Sequence, residues 1–246
     1  MRNKKSFLPG FFTSLNAFCG FLSILYVTDN HPLIAAWLIM LAAVFDGMDG
    51  KVARFTHSYS NFGVEFDSLA DIISFGVAPG ILLYKAYFYT FGHWGVIVSF
   101  LPTLFGGIRL ARFNIRVSSF DKECYLGLPI PTMAITLSSF LVFNHSLGNG
   151  LKLSGFLTPL TLFLCILMIS PIEYETLPKF SLRNTKKNLI KLLIFLVCSG
   201  IIIIFPEEAI FPIAIGFVFF GILRWFINLI KSGEIADIPV SDEALR

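Results

Sequence analysis

The chain has 246 residues, 55% of them hydrophobic and only 14% charged, and its formal net charge is +3. Soluble domains carry about a quarter charged residues, so this composition excludes an ordinary soluble domain and predicts an integral membrane protein. The net charge is small and says little alone, and we expect no nucleic-acid partner.

Apolar segments long enough for membrane-spanning helices follow one another along the chain. A span needs about 20 apolar residues. Eight segments fit, near residues 7–28, 31–54, 63–88, 92–114, 130–147, 154–172, 189–205 and 208–230. We therefore expect an all-α, polytopic membrane helix bundle of about eight transmembrane helices.

A polar linker, residues 173–188, separates six spans from a final pair. The predicted domain organisation is a six-span unit over residues 1–180, a two-helix extension over 181–230 and a polar tail over 231–246.

The basic residues predict the orientation. Of the 19 Lys and Arg residues, all but Lys85 and Lys152 fall on one side if the N-terminus is cytoplasmic. Because Lys and Arg accumulate in cytoplasmic loops, we expect a multi-pass protein of the cell's inner membrane with both termini in the cytoplasm.

Four aspartates interrupt the second and third spans. Asp46 and Asp49 are three residues apart near the end of span 2, and Asp67 and Asp71 are four apart near the start of span 3. Each spacing places two side chains on one helix face. Because the connection between the spans is short, the two helices should be antiparallel neighbours, with both pairs facing each other near the cytoplasmic surface.

Carboxylates grouped in this way repel one another unless cations lie between them. Hard cations with oxygen ligands, Mg²⁺ or Mn²⁺, fit such a site, and two ions about 4 Å apart would clamp the oxygens of a displacement at phosphorus. Two alternatives stay open at this point: a proton or ion path in a transporter, and structural pairing with Lys51 and Arg54.

The pattern around these aspartates resembles a known family. The residues Asp46-x2-Asp49-Gly50-x2-Ala53-Arg54-x8-Gly63-x3-Asp67-x3-Asp71 are similar to the full motif of the CDP-alcohol phosphatidyltransferases. The resemblance implies a catalytic core of six helices, two metal ions and a homodimer.

The resemblance also implies roles for single residues. The metal ligands would be Asp46, Asp49, Asp67 and Asp71, with Asp71 also acting as the catalytic general base. CDP-diacylglycerol would be bound by residues of the first three spans: Asn16, Asp46, Gly50, Ala53, Arg54, Gly63 and Asp67.

Further stretches are similar to the bacterial and archaeal members of this family that use serine. They are Leu8-Pro9…Thr13…Asn16, residues 62–76, residues 109–114 and residues 127–132. The expected activity is transfer of a phosphatidyl group from CDP-diacylglycerol to L-serine, with CMP as the second product. Gly10 departs from the pattern, since these enzymes often have Asn there.

Three arginines at the inner end of span 4 form a candidate acceptor site. Arg109, Arg112 and Arg116 lie at positions i, i+3 and i+7. Arg109 and Arg112 could bind the lipid phosphate or the carboxylate of serine by bidentate hydrogen bonds, or the stripe could anchor the helix on anionic lipid. Asn114 could orient a polar substrate group or cap the span.

Two further hypotheses on function remain at this stage. The acceptor could be another alcohol: glycerol 3-phosphate, inositol phosphate or choline. From a different class of protein, an ion-coupled transporter would use the aspartates without turning over a CDP-lipid.

Overall fold

The structure is a computed structural model that describes residues 7–56, 61–117, 125–148, 153–174 and 186–232, apart from some side chains mostly near the ends of these ranges. Its first half contains five α-helices: α1 (Phe7–Thr28), α2 (Pro32–Thr56), α3 (Asn61–Asp71), α4 (Ala78–Ala86) and α5 (His93–Val117). A π-helical segment, Ile72–Val77, joins α3 to α4, so the three pieces form the third predicted span.

The second half holds four more helices: α6 (Ile130–Ser146), α7 (Leu157–Ile169), α8 (Lys186–Ile204) and α9 (Pro206–Ser232). Short 3₁₀ turns cover Phe88–Phe91 and Ser154–Phe156. The strands β1 (Tyr125–Leu126) and β2 (Glu173–Tyr174) pair in antiparallel register, Tyr125 with Tyr174. No sequence pattern predicted this ladder.

Five segments of the described residues are long and apolar enough to cross a membrane: Gly10–Thr28, Pro32–Val52, Phe62–Ala86, His93–Ile115 and Pro206–Ile230. The helices α6 and α7 are shorter, with 17 and 13 residues. Each of the eight predicted spans coincides with helix, and the predicted class, a polytopic membrane helix bundle, is confirmed.

Helix α6 lies at the centre of the bundle, in contact with α2, α7 and α9. Its side chains Met133, Ala134 and Leu137 are fully buried. Several of its hydroxyls bond to its own backbone, as Thr136 Oγ1 does to the Thr132 carbonyl at 2.7 Å. Internal pairing of this kind is what a polar group in an apolar environment requires.

The crossing of α1 with the π-helical segment fixes the geometry of the aspartate-bearing helices. A Cβ at Gly20 would lie 2.7 Å from the Ser74 Cα, so only glycine permits this approach. At the crossing, Ser74 Oγ donates a hydrogen bond to the Asn16 carbonyl at 2.9 Å. The π-helical segment begins directly after Asp71. Its hydrogen bond to Asn16 therefore connects α1 with the backbone next to Asp71.

Candidate active site

The structure brings the aspartates of α2 and α3 together. One carboxylate oxygen each from Asp46, Asp49 and Asp67 lies within 4.8 Å of the other two. Asp49 is buried, with 6% of its surface exposed, whereas Asp46 and Asp67 are half-buried. Helical spacing thus produces the cluster that the sequence predicts, although within the described part of the chain α2 and α3 each pack mainly on α1 rather than on each other.

Asp71 lies at the deep edge of this cluster, with 7% of its surface exposed. It is outside the group of three mutually close carboxylates, and its side chain interacts with that of Asp46. The Asn16 amide donates a hydrogen bond from Nδ2 to Asp71 Oδ1 at 3.0 Å. Asp71 is therefore held by one donor while it remains next to the other carboxylates.

Helix α1 contributes two hydrogen-bond donors to the site. Besides Asn16, Thr13 donates from Oγ1 to Asp49 Oδ2 at 3.0 Å, and both donors are buried. The sequence pointed to Thr13 only as part of a resemblance and to Asn16 only as a nucleotide-binding residue. Their i, i+3 spacing on one face of an apolar helix was the signal that could have identified them as partners of the carboxylates.

The cluster fits a divalent metal ion. Among the residues that the structure describes, Asp67 Oδ1 and Asn16 Oδ1 are buried oxygens that accept no hydrogen bond. Buried acceptors without donors are costly, and Mg²⁺ and Mn²⁺ bind carboxylate and carbonyl oxygens. The three close carboxylates supply the negative charge that such an ion needs.

The predicted acceptor residues lie on α5, beside α3. Arg109 is buried. Arg112 is half-buried and donates from Nη1 to the Ile169 carbonyl at the end of α7, at 3.0 Å. Asn114 donates from Nδ2 to Ser68 Oγ at 3.0 Å, and Ser68 follows Asp67 in the chain. The sequence did not identify Ser68 or the contact of Arg112 with α7.

The predicted nucleotide-binding residues are only partly visible. Gly50 and Gly63 are exposed, and a Cβ added at Gly50 would meet no atom within 4 Å. The side chains of Ala53, Arg54 and Arg116 lie outside the described part of the structure. The backbone beside Asp49 is thus open, as a site for a bulky ligand requires.

We expect Asp67→Asn to weaken Mn²⁺ binding by at least about tenfold, because loss of even an outer partner of a metal ligand costs 10- to 100-fold. The measurement is an electron paramagnetic resonance titration of the purified protein with Mn²⁺. Glu65→Gln is the matched control, since Glu65 is exposed on the same helix. Equal affinity in both variants would contradict a metal site at this cluster.

Comparisons with known proteins agree with this geometry. A family model described as CDP-alcohol phosphatidyltransferase matches residues 6–169. A CDP-diacylglycerol–serine O-phosphatidyltransferase of Helicobacter pylori is 38% identical over 227 residues, which cover 91% of this chain and 92% of that protein.

Two further relatives come from distant organisms. An archaetidylserine synthase of Methanothermobacter thermautotrophicus is 41% identical over 68% of this chain and 69% of its own length. A CDP-diacylglycerol–serine O-phosphatidyltransferase of Mycobacterium tuberculosis is 30% identical over 85% of this chain and 75% of its own length. The chain belongs to the CDP-alcohol phosphatidyltransferase family.

Proposed function

We propose that this chain transfers the phosphatidyl group of CDP-diacylglycerol to the hydroxyl of L-serine, giving phosphatidylserine and CMP. It would thus be a phosphotransferase for substituted phosphate groups. The observation that carries the proposal is the group of three carboxylates within 4.8 Å at the ends of α2 and α3, in a chain whose relatives include enzymes named for serine as acceptor.

Asp71 is the general base of the proposed reaction. A hydroxyl is a weak nucleophile and needs a positioned group to accept its proton. Asn16 binds Oδ1 of Asp71 and thereby orients the carboxylate. The serine Oγ–H bond breaks as its proton passes to Asp71, Oγ bonds to the β-phosphorus, and the bond from phosphorus to the CMP oxygen breaks.

The metal centre comprises Asp46, Asp49, Asp67 and Asp71. When bound there, two Mg²⁺ or Mn²⁺ ions would neutralise the pyrophosphate and the charge that develops on CMP. Thr13 keeps Asp49 in place through its 3.0 Å hydrogen bond.

CDP-diacylglycerol is bound, in this proposal, along the first three spans by Asn16, Asp46, Gly50, Ala53, Arg54, Gly63 and Asp67. The exposed backbone at Gly50 and Gly63 supports close approach of the nucleotide.

The acceptor side consists of Arg109, Arg112 and Asn114. One Arg112 N–H is donated to Ile169, and a guanidinium has five N–H donors, so others stay available for an anionic group. The contact of Asn114 with Ser68 supports the proposal, because it places this part of α5 next to Asp67.

The proposed setting follows from the distribution of charge. The protein lies in the cell's inner membrane with both termini and the active site cytoplasmic, so that the site is open to water-soluble serine. A homodimer is proposed from the family resemblance alone. Residues 1–180 are the catalytic core, 181–230 a two-helix extension and 231–246 a polar tail.

A CMP-release assay on the purified protein tests the acceptor directly. With CDP-diacylglycerol and Mn²⁺, we expect release with L-serine and no release above background with glycerol 3-phosphate, inositol phosphate or choline. Release with one of those alcohols instead would refute serine as the acceptor. Counterflow in liposomes without CDP-lipid turnover would favour the transporter hypothesis.

Asp71→Asn tests the general base, because the amide keeps an oxygen for the metal centre but cannot accept the serine proton. We expect turnover to fall by about 10²- to 10⁴-fold, the usual contribution of a general base, while the affinity for CDP-diacylglycerol changes little. Asp67→Asn should lower both the turnover and the affinity for CDP-diacylglycerol. The measurements are CMP release and equilibrium binding of CDP-diacylglycerol, with Glu65→Gln as the control. Asp71→Asn with full turnover would exclude Asp71 as the base.

Arg112→Ala tests the acceptor side. If Arg112 binds the serine carboxylate, the serine KM should rise roughly 10- to 150-fold, since a hydrogen bond to a charged group contributes about 1.5–3 kcal/mol, and the KM for CDP-diacylglycerol should not change. A rise confined to the KM of CDP-diacylglycerol would assign Arg112 to the lipid phosphate. Lys85→Ala, an exposed charge at the other end of the bundle, is the control. If neither KM changes, Arg112 only fastens α5 to α7.

A further inference from the structure

Helix α9 packs on the bundle, and its middle part reaches the segment that follows α7. Its Phe211 ring contacts the rings of Phe140 and Phe143 of α6, with centroids 5.0 and 5.4 Å apart. Further along, Phe219 contacts Phe163 of α7 at 6.0 Å. The last helix of the extension is thus packed on α6, and in its middle it meets both α7 and the segment that follows α7.

The side chain of Tyr174 fills a notch in α9. Tyr174 has 3% of its surface exposed, and its ring centroid is 6.0 Å from that of Phe217. A Cβ at Gly221 would lie 2.6 Å from Tyr174 Cδ1 and closer still to Cε1. The ring therefore occupies the space that a side chain at position 221 would take.

The hydroxyl of Tyr174 points at the same helix. It donates to the Val218 carbonyl at 3.5 Å, a long and therefore weak hydrogen bond. Burial raises the pKa of Tyr174 to about 12, in agreement with a hydroxyl enclosed by the packing of α9. The ring is held mainly by its packing in the notch.

Tyr174 belongs to a short backbone assembly that closes the inner end of α7. Its strand, β2, pairs with β1, the last part of the α5–α6 connection. The Gly127 N–H donates to the Ile172 carbonyl at 2.9 Å, and the Leu128 N–H to the Leu167 carbonyl at 3.0 Å. We call Tyr125–Leu128 together with Leu167–Tyr174 the collar.

Gly127 makes the collar possible. Its φ is +82°, a conformation that favours glycine, and a Cβ there would lie 2.8 Å from the Met168 carbonyl carbon. The α5–α6 connection can dock on the end of α7 only because this position has no side chain.

The collar also holds the proposed acceptor side. The last carbonyls of a helix lack partners within it, and the Ile169 carbonyl at the end of α7 accepts its hydrogen bond from Arg112 of α5. Asn114, two residues after Arg112 on α5, bonds to Ser68, and Ser68 follows Asp67 in the chain. The contacts thus lead from Gly221 through Tyr174 and the collar to Arg112, and along α5 from Arg112 to Asn114 and its partner Ser68 beside Asp67.

We infer that α9 is a positioning element for the acceptor side of the active site, and that it acts through the Tyr174 ring in the Gly221 notch. Tyr174 and Gly221 are positioning residues and touch no substrate. The inference rests on the proposed function in so far as Arg112 faces the serine site. It assigns a task to the C-terminal extension, which lies outside the part of the chain that matches the family model.

The mechanical part of this inference is tested by amide hydrogen exchange of the full-length protein. In Gly221→Leu and Tyr174→Ala, exchange in the peptide that contains Gly127 and Leu128 should be about tenfold faster or more, because local opening becomes easier. Gly216→Leu is the matched control, since a Cβ at Gly216, on the same helix, meets no atom within 4 Å. Tyr174→Phe keeps the ring and should behave like the wild type.

The functional part is tested by kinetics on the same variants. We expect the serine KM to rise roughly fivefold or more in Gly221→Leu and Tyr174→Ala, a size typical of indirect effects on a site, with the KM of CDP-diacylglycerol within about twofold of wild type. In the Tyr174→Ala background, Gly221→Leu should have little further effect, because the ring that it displaces is gone.

Different results overturn different claims. Unchanged exchange and unchanged serine KM in Gly221→Leu, or equal rises in both KM values, would refute α9 as a positioning element. A wild-type protein that releases no CMP with serine would refute the proposed function, and hydrogen exchange would still decide whether α9 holds the collar.

Discussion

Four carboxylates at one end of an apolar helix bundle impose the constraint on which the rest of this structure depends. A charge removed from water must meet a donor or a cation. Asp49 and Asp71, the two buried members, each have a donor from α1, whereas Asp46 and Asp67 are half-exposed. Asp67 Oδ1 accepts no hydrogen bond among the described residues, and the three close carboxylates have the spacing that can hold a metal ion.

Helix α1 does more than span the membrane. Its Thr13 and Asn16 side chains orient the two buried carboxylates, and the Asn16 carbonyl accepts the Ser74 hydroxyl. That bond ties α1 to the π-helical segment that starts immediately after Asp71. π-Helical turns are rare in proteins, and those that occur are often located at functional sites. Here the turn brings Ser74 against Gly20, so the depth of Asp71 in the bundle and the position of its partner are set by one crossing.

The end of the bundle that carries the aspartates is closed by backbone as much as by side chains. Arg112 donates to the Ile169 carbonyl at the end of α7, and the Leu128 N–H donates to the Leu167 carbonyl, which also accepts from Ser170 at the helix cap. Tyr174, at the end of the collar, packs against α9. The geometry unites three parts that are far apart in the sequence, the end of α5, the end of α7 and the middle of α9.

The sequence by itself determined the membrane class, the eight helical segments and the aspartate cluster, because apolar length and helical spacing are local properties. It also led to the family through the motif from Asp46 to Asp71. Only the tertiary structure decided which donors serve Asp49 and Asp71, that Arg112 meets the end of α7, and that Tyr174 lies in the Gly221 notch. These contacts join residues 36 to 57 positions apart in the first three cases and depend on how helices cross, which no local pattern specifies.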